Sequence, residues 1–277
     1  MLARAVLPVL LVGLVATPAQ GAGKAKPKGK PATAKVAPAR SPPAAPEPAP
    51  APVAPPAPVE PSAAEILLKV DQVLAPAEFE AKLTFVTHKP KGDSTFAMSY
   101  LKKGDKFRTR FLAPPDDAGS EVLRIVDDFW NYLPNLKRAL KISSKQEFHG
   151  GDFANSDVLG VEMARDYDPS FGEGAPADQW VLELKAKNDT VTYARIRVFV
   201  RKQDAQPVLM EYFSGSGKQV RRMELAELKT YGTFVRPSRY VMRNLLEPKR
   251  YSELVFDSFS LKSGLDDALF DQTTLGR

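Results

Sequence analysis

From Ala81 to Phe259 the chain keeps returning to one rhythm, apolar and polar residues in alternation, and this constrains the fold more than any other feature. Ala81, Leu83 and Phe85 alternate with Lys82, Thr84 and Val86. Phe96, Met98 and Tyr100 follow a turn at Gly92 to Ser94, and Phe107 and Phe111 alternate with Arg108 and Arg110. A period of two places alternate side chains on opposite faces of a strand. The same pattern recurs at 121–126, 180–185, 195–200, 208–213, 220–228, 240–245 and 251–259, mostly with polar or glycine turns between. About ten to twelve strands joined by short turns predict a mainly β domain with a few helices. They form one large curved antiparallel sheet, or a half-closed β-barrel lidded by short helices, rather than a βαβ arrangement.

Three stretches break the rhythm. Ser62 with Glu65 makes a capping box, and Ile66, Leu67, Val70, Val73 and Leu74 follow at helical spacing until Pro76, which predicts an opening amphipathic helix. Residues 153–168 read as a loop and short helix, and 266–275 as another helix. All three are expected to cover one face of the sheet.

The chain divides into a leader at 1–21, a linker at 22–61 and a folded domain at 62–277. The leader carries Arg4, an apolar run from Ala5 to about Ala16, and Ala19 and Gly21 before the cleavage point, the pattern of a secretory signal peptide. Its apolar run is shorter than the roughly 20 residues a membrane-crossing helix needs. The linker holds thirteen of the 25 prolines and no aromatic residue, so it cannot bury enough apolar surface to offset the entropy of ordering. With no cysteine, the chain has no lipid-attachment thiol, disulfide or thiolate metal site. These features point to the periplasm. Of the net charge of +6, the linker carries +4 and the leader +1, so the folded domain is nearly neutral. That balance argues against a nucleic-acid partner, whose phosphates must be neutralised by many basic side chains.

Catalytic and metal-binding patterns are sparse. His88 sits on a strand edge. His149 lies near Asp152, but a metal site needs three or four converging donors and the sequence offers no further histidine. SGSGK at 214–218 lacks the first glycine and the final Ser or Thr of a phosphate loop and reads as a hairpin turn. The expectation is a non-enzyme with no metal and no cofactor; an envelope hydrolase would have to be built around His149 and Asp152.

The stretch DDFWNYLPNLKRALKISS at 127–144 reads as a hairpin with its corner at Pro134 and Asn135. It has Leu136, Leu140 and Ile142 on one face and Lys137 and Lys141 on the other; Arg138 interrupts the apolar face. Three short helical segments must cover ten or more strands. The inner face is therefore either a packed core or a partly closed apolar cavity of the kind that binds acyl chains. Phe85, Phe96, Met98, Tyr100, Phe107, Phe111, Trp130 and Tyr132 are the candidate lining.

The segment IVDDFWNYLPNLKRALKISSKQEFHGGDFANSDV resembles the outer-membrane lipoprotein-sorting protein family, the LolA-like group. The resemblance rests on Trp130, Tyr132, Pro134, Arg138, Ile142, Ser143 and Ser144, then on Gly150 or Gly151, Asp152 and Phe153. His149 within HGGDF and the long linker depart from the family pattern. The resemblance implies a half-closed barrel lidded by helices. It also implies a periplasmic, non-catalytic carrier that shelters the acyl chains of a lipoprotein or lipid on the way to the outer membrane. Its partners would be an acylated lipoprotein or lipid, an inner-membrane transporter and an outer-membrane acceptor, with the chain acting as a monomer. Arg138 is the candidate latch for the lid, or else a partner in a cross-strand ion pair. The rival reading is an envelope interaction or sensor module with the same fold and no transported cargo.

Overall fold

A computed structural model describes residues 60–160 and 162–277. The leader expected at 1–21 and the linker, apart from Glu60 and Pro61, lie outside the described residues.

The first element of the described residues is α1 (Ala63–Leu74), where the Ser62 hydroxyl accepts from the Glu65 amide and the Glu65 carboxylate accepts from the Ser62 amide. This is the predicted capping box, and Ile66, Leu67 and Val70 form the buried stripe. The strands follow as β1 (Glu78–His88), β2 (Ser94–Lys103), β3 (Lys106–Ala113), β4 (Glu121–Ile125), β5 (Asp128–Leu133) and β6 (Arg138–Ile142). Two short helices, α2 (Asn155–Val158) and α3 (Met163–Asp166), precede β7 (Tyr167–Phe171), β8 (Gln179–Ala186), β9 (Arg195–Arg201), β10 (Pro207–Phe213), β11 (Gln219–Tyr231), β12 (Phe234–Asn244) and β13 (Tyr251–Leu261).

All thirteen strands among the described residues join one sheet, in the order β6-β5-β4-β3-β2-β1-β13-β12-β11-β10-β9-β8-β7, with every neighbouring pair antiparallel. The predicted mainly β, curved antiparallel architecture is the one observed. The first and last strands meet in the middle, where Phe85 pairs with Leu254 and Ala81 with Phe259. Consecutive strands β6 and β7 therefore lie at opposite edges. Residues 143–166 must cross the inner face to connect them, and they carry α2 and α3 with them.

The alternation is regular on the inner face. Phe79, Ala81, Leu83 and Phe85 of β1 are buried beside Phe96, Met98 and Tyr100 of β2 and Phe107 and Phe111 of β3. Phe148 and Phe153 of the crossing segment pack onto them, with Phe85 meeting Phe148 edge-on at 5.4 Å between ring centroids. α1 packs against α3, β7 and β12.

The C-terminal segment departs from expectation twice. It forms two short 3-10 turns, Asp267–Phe270 and Gln272–Thr274, because Asp266 and Asp271 each accept from an amide two residues on and restart the backbone there. It also covers the outer face of the sheet. Phe270 and Leu275 pack on Leu123, Leu101 and Ile125, whose side chains alternate away from the inner face. The Glu121 carboxylate, fully buried, clamps this layer: it pairs with Arg108 at 2.5 Å and Arg110 at 3.3 Å and accepts from the Gly276 amide. Arg108 in turn donates to the carbonyls of Leu269 and Thr274.

Glu121→Gln should lower stability by about 2 kcal/mol, less than a fully buried pair because Arg110 is 43% exposed. Urea unfolding measures the loss, and hydrogen exchange of the amides at 268–276 should accelerate. Wild-type stability with unchanged exchange would show that the clamp is not what holds the tail.

Candidate functional site

The two halves of the inner face differ. Under β1–β4 the aromatic rings of Phe85, Phe96, Phe111, Phe148 and Phe153 fill the space. Under β9–β12 the floor is built from Ile196, Met210, Tyr212, Met223 and Tyr240, and here a cavity of about 70 Å³ remains beneath Leu74 of α1 and Val158, Gly160 and Met163 of the crossing segment. Phe79, Tyr100, Leu254 and Phe256 add to its wall, together with the polar side chains of Asp157, Tyr193 and Arg236. The methionines give that wall unbranched, adaptable side chains, and the Tyr212 hydroxyl lies 3.4 Å from the Met210 sulfur.

Hydrogen bonds tie the cover to the sheet. The Tyr100 hydroxyl donates to the Val158 carbonyl at 2.8 Å, and the buried Arg124 donates to the Leu159 carbonyl at 3.0 Å. Asp157, whose side chain is 3% exposed, accepts from the Tyr193 hydroxyl at 2.7 Å and from the Ala154 amide, with Arg221 at 3.7 Å. Burial raises the Asp157 carboxyl above its usual range, and Arg221 opposes the shift. At Gly160, with φ of +75°, the chain lies so close to the Phe107 ring that a Cβ would collide with it.

α1 is held separately. Arg236 on β12 is fully buried and donates from Nη2 to the Leu74 carbonyl at 3.1 Å and to the Tyr240 hydroxyl at 2.6 Å. Its guanidinium lies over the Phe256 ring at 3.9 Å and near Phe259 at 4.6 Å. At the other side of α1, the Asp71 carboxylate accepts from the amides of Met163 and Ala164, which joins α1 to α3. Loss of hydration pushes the Asp71 carboxyl up to about 7 against the lowering effect of those two amides, and Glu162 and Asp166 add to the rise.

The predicted site residues divide accordingly. Tyr100 lines the cavity. Phe85, Phe96, Met98, Phe107 and Phe111 share its face but belong to the packed aromatic half. Trp130 and Tyr132 lie on the opposite face: in β5 it is Phe129 that joins the inner core, and a one-residue phase difference puts Trp130 and Tyr132 against the C-terminal layer. Arg138 is exposed on the edge strand β6, far along the sheet order from β12. The arginines that reach the cover are Arg124, at the Leu159 carbonyl, and Arg236, at the end of α1; sequence reasoning singled out neither, and Arg236 is the one that lines the cavity. Its signal was parity: it shares a face with Tyr240 and Met242, a charge in phase with an apolar stripe.

His149 and Asp152 do not converge. His149 Nε2 lies 2.9 Å from Asp117, and its ring stacks on Phe111, while Asp152 pairs with Arg250 at 2.7 Å and accepts from the Ser252 hydroxyl. His88 stacks on Tyr251 and lies 2.8 Å from Asp93. Among the described residues no group of three or more His, Asp or Glu side chains is placed to hold a metal ion.

No curated protein matches the chain. Among solved structures it is similar to a LolA superfamily protein from Nitrosomonas europaea, at 24% identity and a TM-score of 0.70, with 76% of this chain and 98% of that one covered. A protein described as an outer membrane lipoprotein-sorting domain, from Vibrio parahaemolyticus, aligns at 24% identity and 0.69, covering 78% and 98%. A DUF1329 family protein from Desulfovibrio piger aligns at 19% and 0.69, covering 77% and 97%. At these identities the likeness is one of fold. Residues 103–277 match a protein family described by the words "Uncharacterized protein"; the chain belongs to that family, and its fold is LolA-like.

Proposed function

We propose that the protein is a non-catalytic, exported carrier that shelters acyl chains of a lipoprotein or lipid between membranes of the cell envelope. The observation that carries this reading is the largely apolar cavity on the β9–β12 floor under a cover hydrogen-bonded to the sheet at a few points. The printed descriptions of the Nitrosomonas and Vibrio proteins support the same direction. The signal-peptide pattern of the leader supports export. An inner-membrane donor and an outer-membrane acceptor belong to the proposal as the carrier's partners.

A cavity of about 70 Å³ is well below the roughly 300 Å³ at which ligand pockets begin. Loading therefore requires α1 and the crossing segment to lift. Each methylene then taken from water contributes about 0.8 kcal/mol, against the cost of the separated hydrogen bonds and of ordering the chain. Arg236 takes the latch role first assigned to Arg138, since it bonds the last carbonyl of α1 from the cavity floor. The rival reading, an interaction module that carries nothing, draws support from the solid aromatic packing under β1–β4.

Native mass spectrometry of the protein taken from its own cell envelope should find acylated species bound, and the full chain should bind a fluorescent fatty acid. Met223→Phe, which narrows the cavity, should weaken that binding about tenfold, or about 1.4 kcal/mol. Empty protein in every preparation, together with no fatty-acid binding, would favour the interaction module.

The joint between α1 and α3 should depend on pH. Asp71 faces Glu162 and Asp166, with Lys102 and Arg165 also at its side. Its carboxyl is raised from 3.8 to about 7, so between these values the folded protein holds a proton that the unfolded chain has released. Stability from this group is therefore greatest at the acidic end and is lost as pH rises through about 7, with a slope of up to about 1.4 kcal/mol per pH unit. Denaturant titrations of wild type and Asp71→Asn between pH 5 and 8 should show this slope in the first and not in the second. Parallel curves would remove Asp71 as the source.

A further inference from the structure

The cavity contains a charge that no described residue balances. Arg236 is fully buried, and while Nη2 has its two acceptors, Nε and Nη1 meet no acceptor among the described residues. The other inner-face arginines are provided for: Arg221 lies 3.7 Å from Asp157 and donates to Tyr193, and Arg124 donates to two backbone carbonyls. No carboxylate among the described residues forms an ion pair with Arg236. The faces of Phe256 and Phe259 stabilise its charge, but ring faces supply neither a hydrogen-bond acceptor in the guanidinium plane nor a full counter-charge. A buried charge left without a counter-ion is strongly destabilising. The guanidinium also lines the cavity that the acyl-chain reading invokes.

A counter-charge brought by the ligand resolves this. We propose that the cavity takes a single-chain amphiphile with an anionic head, a carboxylate or a phosphate monoester, whose oxygens accept from Arg236 while its chain lies along the Met210 and Met223 floor. An oxyanion supplies both the charge and the acceptors that Nε and Nη1 lack, and charge-assisted hydrogen bonds of this kind are about twice as strong as neutral ones. An alcohol or ester of the same chain length supplies acceptors without the charge. The tail-to-head order is set by composition: the arginine lies among Phe79, Phe256 and Leu74 and is the one cation among the described lining residues, while the other charged lining group, Asp157, is already engaged by Arg221 and Tyr193. This inference rests on the acyl-binding reading and names the class of acyl compound.

The test is calorimetric titration of the full chain with dodecanoate, dodecyl phosphate, dodecanol and methyl dodecanoate, below their aggregation limits. Both anions should bind at least about tenfold more tightly than either neutral compound. In Arg236→Met, which matches the apolar surroundings, the four should fall within about threefold of one another, a spread of under 1 kcal/mol. Should that variant fail to fold, Arg236→Lys serves instead and should narrow the preference by weakening the anions alone. Acetate and inorganic phosphate should not displace dodecanoate at matching concentrations; displacement by inorganic phosphate would identify a free-oxyanion site and overturn the amphiphile. Equal binding of dodecanoate and its methyl ester, or a preference that survives in Arg236→Met, would overturn the inference and leave acyl binding intact. Failure of all four to bind would remove the acyl-binding reading itself.

Discussion

A single antiparallel sheet that begins and ends at its own centre governs the rest of this molecule. Because β1 pairs with β13, the chain is forced to place β6 and β7 at opposite edges, and the segment between them has to travel across the inner face. Antiparallel neighbours elsewhere are joined by short turns along the sheet's ends. This connection alone is obliged to cover what the strands expose. The inner apolar surface and the means of covering it are thus consequences of one topological fact, and so is the weakness of the cover. Helices of four residues, α2 and α3, have too few internal hydrogen bonds to persist alone. They depend on Tyr100 and Arg124, which reach their backbone from the sheet, on Asp71, which reaches it from α1, and on Asp157 of α2 itself, which accepts from the Ala154 amide.

That dependence explains why so many polar groups lie on an otherwise apolar face. Buried polar groups are tolerated when they are hydrogen-bonded, and here Tyr100 and Arg124 bond to carbonyls of the crossing segment while Arg236 bonds to the last carbonyl of α1. The outer face shows the opposite solution. Glu121, Arg108 and Arg110 bind the C-terminal segment through paired charges and carbonyls, and Phe270 and Leu275 fill the apolar stripe behind β4. One face is sealed by a charged clamp; the other is closed by single hydrogen bonds.

The sequence made the sheet legible because alternation is a property of each strand alone. The opening helix was legible for the same reason, its capping box and buried stripe being local. What local pattern leaves open is phase relative to the whole sheet. Trp130 and Tyr132 alternate as an inward-facing pair would, and only the pairing of Phe129 with Ile142, both against the inner core, shows that the inward set is the other one. The C-terminal segment was misread on similar grounds: apolar residues at 269, 270 and 275 have a helical look, but Asp266 and Asp271 interrupt the backbone and the surface they meet lies outside. Arg236 was hidden by composition, as one of many arginines; its parity with Tyr240 and Met242 was the available sign.

The division of the inner face into an aromatic half and a methionine-tyrosine half decides where space for a ligand can arise. Phe85 touches Phe96, Phe148 and Phe153, and Phe111 touches Phe96, Phe148 and the His149 ring, so moving any one ring disturbs several contacts at once. Close-packed rings of this kind resist rearrangement because each has few rotamers and each displaced contact must be replaced. Across the sheet, Met210 and Met223 have three rotatable bonds each and meet a tyrosine hydroxyl through their sulfurs, contacts that survive a change of rotamer more readily. The cavity already lies there, the buried guanidinium faces it, and α1 ends above it. Expansion at this end requires only that the cover move and the methionines turn, whereas expansion at the other end would require the aromatic core to come apart.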